Sequence, residues 1–355
     1  MSQRLSQLRG TRWFGAQPGG SVFRQSFFLI AVIVVVVAFY SATGTSYSLY
    51  LVDTILLAAI GALALDLLMG TGGQVSIGNA AFLALGAFAT VWASRAGVSA
   101  PVDVLIGGGV CAVGGLIFGL PALRIRGMYL ALATLAAFYI VTFIGNKYQS
   151  DTVGAGGFYL KPWFKGTLTH QHVIWAWLLS GVLAATIMLA GWLRTGRSGR
   201  AWRMIRDHEV AASMMGIPVA RYKLILFVIS SALIGIEGGL AAHFTSSVSA
   251  DAYTLGTSIA VIAMILIGGL DRQAGALVGA LIVTMLPIYV PDVLNMLLSS
   301  SAARNDAAGY AQMIYGALIM VFIIAAPQGI VGLLGAGWRR AVSLVTSSTR
   351  LRKAT

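Results

Sequence analysis

Long apolar runs separated by short polar stretches dominate this sequence. Such runs lie at 27–42, 49–69, 79–94, 102–120, 128–145, 173–193, 224–244, 255–270, 274–290 and 313–334. A helix needs about 20 apolar residues to cross a bilayer, and several of these runs are shorter. Short spans interrupted by glycine are typical of helices that break around a transport path. The pattern predicts an all-α, polytopic transmembrane bundle of about ten spans, some of them discontinuous.

The composition is not that of a typical water-soluble protein. Of the 355 residues, 58% are hydrophobic and only 10% are charged, whereas soluble domains carry about 25% charged residues. The net charge of +13 is spread over short stretches between the apolar runs. That distribution is typical of membrane orientation and does not indicate a nucleic-acid partner.

The positions of Lys and Arg predict how the chain crosses the membrane. Basic residues concentrate in the two tails and in the segment 194–223, while 146–172 and 291–312 carry little net charge. Basic loops face the cytoplasm, so both termini are predicted there. The first run is interpreted as a retained span and not as a cleaved signal peptide. The predicted units are a tail at 1–26, a transmembrane domain at 27–335 and a tail at 336–355.

Glycines spaced by four residues recur within the runs. Examples are Gly115/Gly119, Gly235/Gly239 and Gly275/Gly279, from a total of 43 glycines. This spacing lets helix backbones approach closely in lipid. We interpret these glycines as packing residues.

The sequence lacks the usual signatures of catalysis. No Gly-Lys dipeptide occurs, so the phosphate-binding G-x-x-x-x-G-K-[ST] loop is missing and ATP must be bound elsewhere if it is used. Cys111 is the single cysteine, and His170 with His172 forms an H-x-H without a third ligand nearby. We interpret both histidines as solvated surface, and predict neither a metal site nor an enzyme.

The basic segment 194–223 predicts a helix that lies outside the apolar runs. The residues from Arg200 to Met215 read as a helix that ends at Gly216 and Pro218, with Gly216 expected in a left-handed conformation. Apolar positions that can share one face are Ala201, Met204, Ile205, Ala211, Ala212 and Met215. Such a stripe can rest on lipid headgroups or fill a groove of a partner protein, and the pattern alone does not choose.

A resemblance to a known family favours the second use, in which the stripe fills a groove of a partner protein. The run 208–217 (HEVAASMMGI) resembles the E-A-A-x-x-x-G coupling motif of membrane subunits of ATP-binding-cassette (ABC) importers. The stretches 64–88, 119–136, 199–230, 268–281 and 326–334 resemble, in the same order, the permeases that carry branched-chain amino acids. The resemblance covers most of 50–335.

That resemblance implies a permease in the inner (plasma) membrane of a bacterium or archaeon, without a cofactor of its own. The implied partners are a second homologous permease, two ATPase subunits that bind ATP, an extracellular solute-binding protein and membrane lipid, but no nucleic acid. Glu209, Ala211, Ala212 and Gly216 would contact an ATPase cleft. The implied solute is a branched-chain or other hydrophobic amino acid, with urea, short amides and small carboxylates as alternatives.

The stretch 70–79 (GTGGQVSIGN) interrupts two apolar runs. It is either a plain turn at the cytoplasmic face or a non-helical element in the membrane, which survives only where protein or a water-filled cavity satisfies its backbone. The resemblance favours the second interpretation. Gln74, Ser76 and Asn79 are then candidate path residues, and Ser76 or Asn79 is expected to cap the next helix.

Acidic residues within apolar runs are functional candidates by default. Asp53, Asp66 and Glu237 are such residues, and Asp66 and Glu237 join the candidate path. For Glu237 a structural role with a buried hydrogen-bonding partner is favoured. Asp66, Asn79, Glu237 and the run 153–158 depart from the pattern of the family that the chain resembles. A rival hypothesis is a proton-coupled secondary transporter that uses Asp66 or Glu237.

Overall fold

The structure is a computed structural model that describes residues 19–122, 128–164, 166–297 and short stretches between 313 and 332. Within these residues the helices are α1 Gly19–Thr43, α2 Ser46–Asp66, α3 Asn79–Arg95, α4 Ala100–Ala122, α5 Met128–Thr152, α6 Leu168–Thr195, α7 Arg197–Asp207, α8 Glu209–Met214, α9 Val219–Thr245, α10 Leu255–Gly268 and α11 Gln273–Leu297. A π-helical turn at Leu67–Thr71 extends α2. Two short strands, β1 Phe158–Tyr159 and β2 Ser247–Val248, pair antiparallel.

The apolar runs fold as membrane-spanning helices. Within the described residues, 8 helices are long and apolar enough to cross a bilayer. The run at 79–94 also forms a helix, α3, but its 17 residues are too few to cross a bilayer straight. Half of the run at 313–334, most of the N-terminal tail and all of the C-terminal tail fall outside the described residues. The predicted all-α, polytopic bundle is confirmed, and the number of spans and the side of the termini stay predictions.

The connections between helices collect at two ends of the bundle. One end, which we call the break end, holds the stretch 67–78, helices α7 and α8, and the α10–α11 turn at 269–272, because Arg206 bonds to both Gly70 and Asp271. The other end, the ribbon end, holds the β1–β2 pair, in which Phe158 lies opposite Val248. Helices α6 and α9 each run from one end to the other.

Glycine allows the central helices to touch. Helix α9 packs most extensively against α4 and α3. A Cβ atom on Gly115 would lie 2.8 Å from the Ser231 hydroxyl oxygen, and one on Gly275 would lie 2.9 Å from the Gly268 carbonyl oxygen. Real Cβ atoms do not approach other heavy atoms this closely, so side chains at these positions would force the helices apart. The prediction that these glycines are packing residues is confirmed.

Candidate functional site at the break end

Helix α2 ends in a break that glycine makes possible. The π-helical turn Leu67–Thr71 leads into Gly72 and Gly73, and Gly73 has a φ of +66°, which side chains disfavour. At Gly70 a Cβ atom would press against the Asp66 carboxylate and lie 2.6 Å from the Asp271 amide nitrogen. Glycine is therefore needed at these positions, because a side chain would prevent either the turn or the close contact with neighbouring residues.

After the break, the backbone runs without helix into the interior of the bundle. The Ile77 amide donates to the Thr134 hydroxyl at 3.1 Å, and the Ala80 amide donates to the Ser258 hydroxyl at 2.9 Å. Ser258 lies in the half of α10 nearer the ribbon end, so α3 begins deep inside the protein. Hydroxyl groups of other helices thus satisfy amides that lipid could not. The plain-turn interpretation does not describe this element.

The three path candidates in this stretch are all buried. Gln74, Ser76 and Asn79 are 5%, 2% and 1% exposed. The expected side-chain cap is wrong, because Gly78 precedes α3 and makes no capping side-chain bond. The Gln74 side chain instead donates to the Lys223 carbonyl at 3.2 Å. Both polar atoms of the Asn79 side chain lack a hydrogen-bond partner among the described residues.

A cluster of ion pairs holds the break against two other elements. We call it the latch, and it comprises Asp66, Thr71, Arg194, Arg206 and Asp271. Arg194, at the end of α6, donates to Asp66 at 2.6 Å and to the Thr71 hydroxyl at 3.1 Å. The Asp271 amide donates to the other Asp66 oxygen at 2.8 Å, and Thr71 donates to the Asp271 carboxylate at 3.0 Å.

Arg206 adds the α7 helix to the latch. Its guanidinium donates to the Asp271 carboxylate at 3.1 Å and to the Gly70 carbonyl. The two arginines balance the two aspartates of the latch in formal charge. Asp66 is fully buried, and the Arg194 side chain is 5% exposed. Removing one member of a buried ion pair leaves an uncompensated charge and is strongly destabilising. The latch therefore joins α2, α6, α7 and the α10–α11 turn firmly.

The basic segment forms two helices where one was predicted. Helix α7 ends at Asp207, His208 has extended-type dihedral angles (φ −151°, ψ 88°), and α8 begins at Glu209, an acid at a helix N-terminus, where it is favourable. The apolar face of α7 is buried in the chain itself, with the Trp202 indole donating to the Tyr222 carbonyl at 2.9 Å. This face is therefore not available to lipid headgroups.

Helix α8 instead presents apolar side chains to the outside. Val210, Met214 and Met215 are 59%, 83% and 74% exposed. Ala211 is exposed and Gly216 has a φ of +79°, so the predicted left-handed end of the helix is confirmed. Ala212, by contrast, is fully buried within the chain. The structure thus brings Ala211 and Gly216 to the surface and does not bring Ala212 there.

A second connection joins this surface to the break. The Lys223 ammonium group lies 2.8 Å from the Glu209 carboxylate. The carbonyl of the same lysine accepts from Gln74. The segment with α7 and α8 therefore meets the break through Arg206 and again through Lys223.

Glu237 lies apart from the latch, in the middle of α9. It is 5% exposed, and its carboxyl group lies against Gly61 of α2, where no side chain competes for the space. Its Oε2 atom has no hydrogen-bond partner among the described residues. The partner that the sequence led us to expect is thus not found in the part of the chain that the structure describes.

Several functional contacts escaped the sequence analysis. Arg194 and Asp271 were not singled out as partners of Asp66, although a buried carboxylate is stabilised by a cation and Arg194 stands at the end of an apolar run. The interpretation of His172 as solvated surface is wrong, because it lies 2.9 Å from the buried Asp53 carboxylate. His170 is exposed, as expected. No group of three or more metal-type ligands occurs in the described residues.

Comparison with known proteins identifies the family. Residues 44–323 match the model of the branched-chain amino acid transport system / permease component family. The chain belongs to this family. The match covers the break, the latch and α7–α8, so these elements form part of the permease domain. The chain is a multi-pass inner-membrane permease subunit of the ABC importer class.

Curated relatives agree with the family. LivM, a high-affinity branched-chain amino acid transport system permease protein of Escherichia coli, is 26% identical over 92% of this chain and 79% of its own length. LivH of Salmonella typhimurium, another permease protein of this kind, is 30% identical over 46% of this chain and 48% of its own length. A solved structure, a chain of PsaBC from Streptococcus pneumoniae, aligns with 84% of this chain over 96% of its own length, at 14% identity and a TM-score of 0.43.

Proposed function

We propose that this permease carries branched-chain or other hydrophobic amino acids inward, driven by ATP hydrolysis in two partner ATPase subunits. A second homologous permease completes the membrane part, and a solute-binding protein delivers the solute. One observation carries the proposal. A small apolar surface on α8 projects from the break end and is tied, through Arg206 and Lys223, to a non-helical element inside the bundle.

The α8 surface suits a protein groove better than a lipid surface. A headgroup anchor lays a broad apolar face along the membrane, but the apolar face of α7 is already buried within this chain. What remains exposed is Val210, Met214 and Met215 on one short helix. Flexible methionines adapt to irregular pockets, and a short apolar helix fits a groove. We therefore assign this surface, with Ala211 and Gly216, to the ATPase subunit.

The latch and Lys223 supply the mechanical connection. Movement of α7 by the ATPase moves Arg206, and Arg206 holds both Gly70 and Asp271. Movement of α8 moves Glu209 and with it Lys223, whose carbonyl holds Gln74. Because the stretch 72–78 is not helical, it can change conformation without unwinding a helix. ATP-driven movement thus reshapes the interior near Ser76 and Asn79.

The path residues separate into two groups in this proposal. Asp66 and Gln74 transmit movement, because each is bonded to another element of the break end. Asn79 and Glu237 carry polar atoms without partners among the described residues, and Ser76, three positions before Asn79, is buried as well. Buried polar atoms without partners are costly, and a zwitterionic solute would satisfy them during passage.

The family and the names of the relatives support a branched-chain amino acid as solute. Urea, short amides and small carboxylates remain alternatives that the same unpartnered groups would suit. A proton-coupled secondary transporter would need an acid that is free to titrate. Asp66 does not fit that role, because its two oxygens are held by Arg194 and the Asp271 amide. Glu237, whose Oε2 atom has no partner among the described residues, is the acid that this alternative would use.

Reconstitution tests the proposal. The permease is co-purified with the ATPase, second permease and solute-binding protein of the same genome, placed in vesicles and assayed for uptake of leucine, urea, acetamide and propionate. We expect leucine uptake that requires ATP and the binding protein and is insensitive to a collapsed proton gradient. Uptake that follows the proton gradient and ignores ATP would contradict the proposal.

A further inference from the structure

A small cavity lies at the ribbon end, far from the latch. It has a volume of about 220 Å³ and lies between the start of α6, the end of α9 and residues 162–164. Its main walls are four aromatic rings and two imidazoles, from Trp163, Phe164, His172, Trp175, His243 and Phe244. We call it the aromatic box. Drug-sized sites measure about 300–1,000 Å³, so the box suits a ligand of few heavy atoms.

The rings of the box form one connected wall. Trp163 stacks on His243, with ring centres 4.8 Å apart and planes at 27°. Trp175 lies 5.4 Å from Trp163 and 5.4 Å from Phe164, and 5.8 Å from Phe244. Exposed Trp and Tyr residues at a membrane surface commonly contact lipid. Trp175 is only 6% exposed, so its ring faces the protein interior and not lipid.

A buried carboxylate stands behind each histidine. The Asp103 carboxylate lies 3.0 Å from His243 Nε2, and the Asp53 carboxylate lies 2.9 Å from His172 Nδ1. Both carboxylates are fully buried. The Nδ1 atom of His243 is buried too and has no hydrogen-bond partner among the described residues. No lysine or arginine occurs among the described residues that line the box.

We propose that the aromatic box binds a small organic ammonium ion. Aromatic faces attract cations, most strongly where water is excluded. When His243 donates from Nε2 to Asp103, its Nδ1 atom is an acceptor, so this wall of the box adds no positive charge. An anionic ligand would need a lysine or arginine in the walls, and the described residues that line the box include neither.

This site goes beyond the proposed coupling function. The box and the latch stand at opposite ends of α6, whose 28 residues span roughly 40 Å at the usual helical rise. The ammonium group has two possible sources, a free amine outside the cell or an amine-bearing lipid headgroup. Binding to the box requires neither ATP nor a partner subunit, so failure of this inference would leave the coupling account intact.

The test compares two ligands of the same shape and opposite charge. The full-length chain is placed in nanodiscs of phosphatidylglycerol, which has no amine, and titrated with isobutylammonium or isobutyrate under calorimetric detection. We expect saturable binding of isobutylammonium only. Trp163→Ala should weaken that binding at least about tenfold, while Trp163→Phe, which keeps an aromatic face, should stay within about threefold. Trp177→Ala, which removes an exposed ring of α6 outside the box, should bind like wild type.

Three results would overturn the site: isobutyrate binding as tightly as isobutylammonium, no saturable binding of the ammonium ion, or Trp163→Ala and Trp177→Ala binding alike. Thermal unfolding of each variant shows that it is folded, and Trp163→Phe keeps the test decisive if the alanine variant is unstable. Nanodiscs with added phosphatidylethanolamine separate the sources. Competition by this lipid identifies the headgroup as ligand, and unchanged affinity identifies a free amine.

Discussion

The latch and the interior around Glu237 differ in whether their buried acids have partners. In the latch, Asp66 and Asp271 are both paired with arginines within 4.0 Å. In the interior, Glu237 Oε2 and both polar atoms of the Asn79 side chain have no partner among the described residues. Burial without a partner is costly, so a protein retains it only for a use. The comparison separates acids that hold elements together from an acid that is available to a solute.

The largest effect is expected from breaking the latch. Asp66→Ala leaves Arg194 buried without its closest partner, and we expect the free energy of unfolding to fall by about 3–5 kcal/mol. Denaturant unfolding in detergent measures it. Asp66→Ala combined with Arg194→Ala should lose less than the sum of the single changes, because no lone charge remains.

The matched control for this prediction is Asp207→Ala. Asp207 also pairs with an arginine, Arg206, at 3.2 Å, but it is 51% exposed. Exposed pairs contribute about 0–1 kcal/mol, so this change should lower the free energy of unfolding by no more than that. Equal losses for Asp66→Ala and Asp207→Ala would mean that burial does not distinguish the latch.

Changing Glu237 should affect transport more than stability. Glu237→Gln keeps the shape but removes the ionisable carboxyl group, and because Oε2 has no protein partner in the described residues, we expect the free energy of unfolding to change by less than about 1 kcal/mol. Uptake should fall about tenfold or change its solute preference, as expected for loss of one hydrogen bond to a charged group. Wild-type uptake with a large loss of stability would assign Glu237 to structure.

Gly216→Val should uncouple the transporter. Gly216 has a φ of +79° with open space around it, so a side chain costs about 1 kcal/mol or more in backbone strain and also alters the end of α8. We expect loss of solute-stimulated ATP hydrolysis with membrane insertion intact. The control is Gly97→Val, at the ribbon end, where φ is +85° and space is equally open. Equal uncoupling by both variants would mean that backbone strain causes the loss, and not the position of Gly216 at the end of α8.

The smallest effect is expected from Glu209→Gln. The Glu209 and Lys223 side chains are 31% and 17% exposed, and pairs this accessible to water contribute little to stability, about 0–1 kcal/mol. Coupled ATP hydrolysis should decrease by no more than about threefold, as expected for a charge at the rim of an interface. A loss as large as that of Gly216→Val would place Glu209 at the centre of the contact.

The sequence predicts the fold well, because apolar runs report directly on membrane burial. It also predicts the break, since Gly70, Gly72 and Gly73 interrupt the apolar run with residues that disfavour a helix. The left-handed Gly216 followed from the rule that glycine ends helices. These features depend on local composition, and local composition is visible in one sequence.

Partners brought together from distant parts of the chain could not be predicted in this way. Asp66 and Arg194 are 128 positions apart, and no periodicity links them. The burial of Ala212 and the bond from Trp202 to the Tyr222 carbonyl are likewise tertiary features. The sequence placed Asp66 and Glu237 in one class, and only the contacts of each carboxyl group separate them.

Cross-linking tests most directly the central claim that α8 meets the ATPase. Met214 is 83% exposed, and Cys111 is buried, so Met214→Cys on a Cys111→Ala background carries one accessible thiol. A short photoactivatable cross-linker on that thiol should join the permease to the ATPase subunit in the purified complex, and ATP should change the yield. Tyr159→Cys, equally exposed but at the ribbon end, should give no such product. Cross-linking of Met214→Cys to lipid alone, or of Tyr159→Cys to the ATPase, would contradict the account.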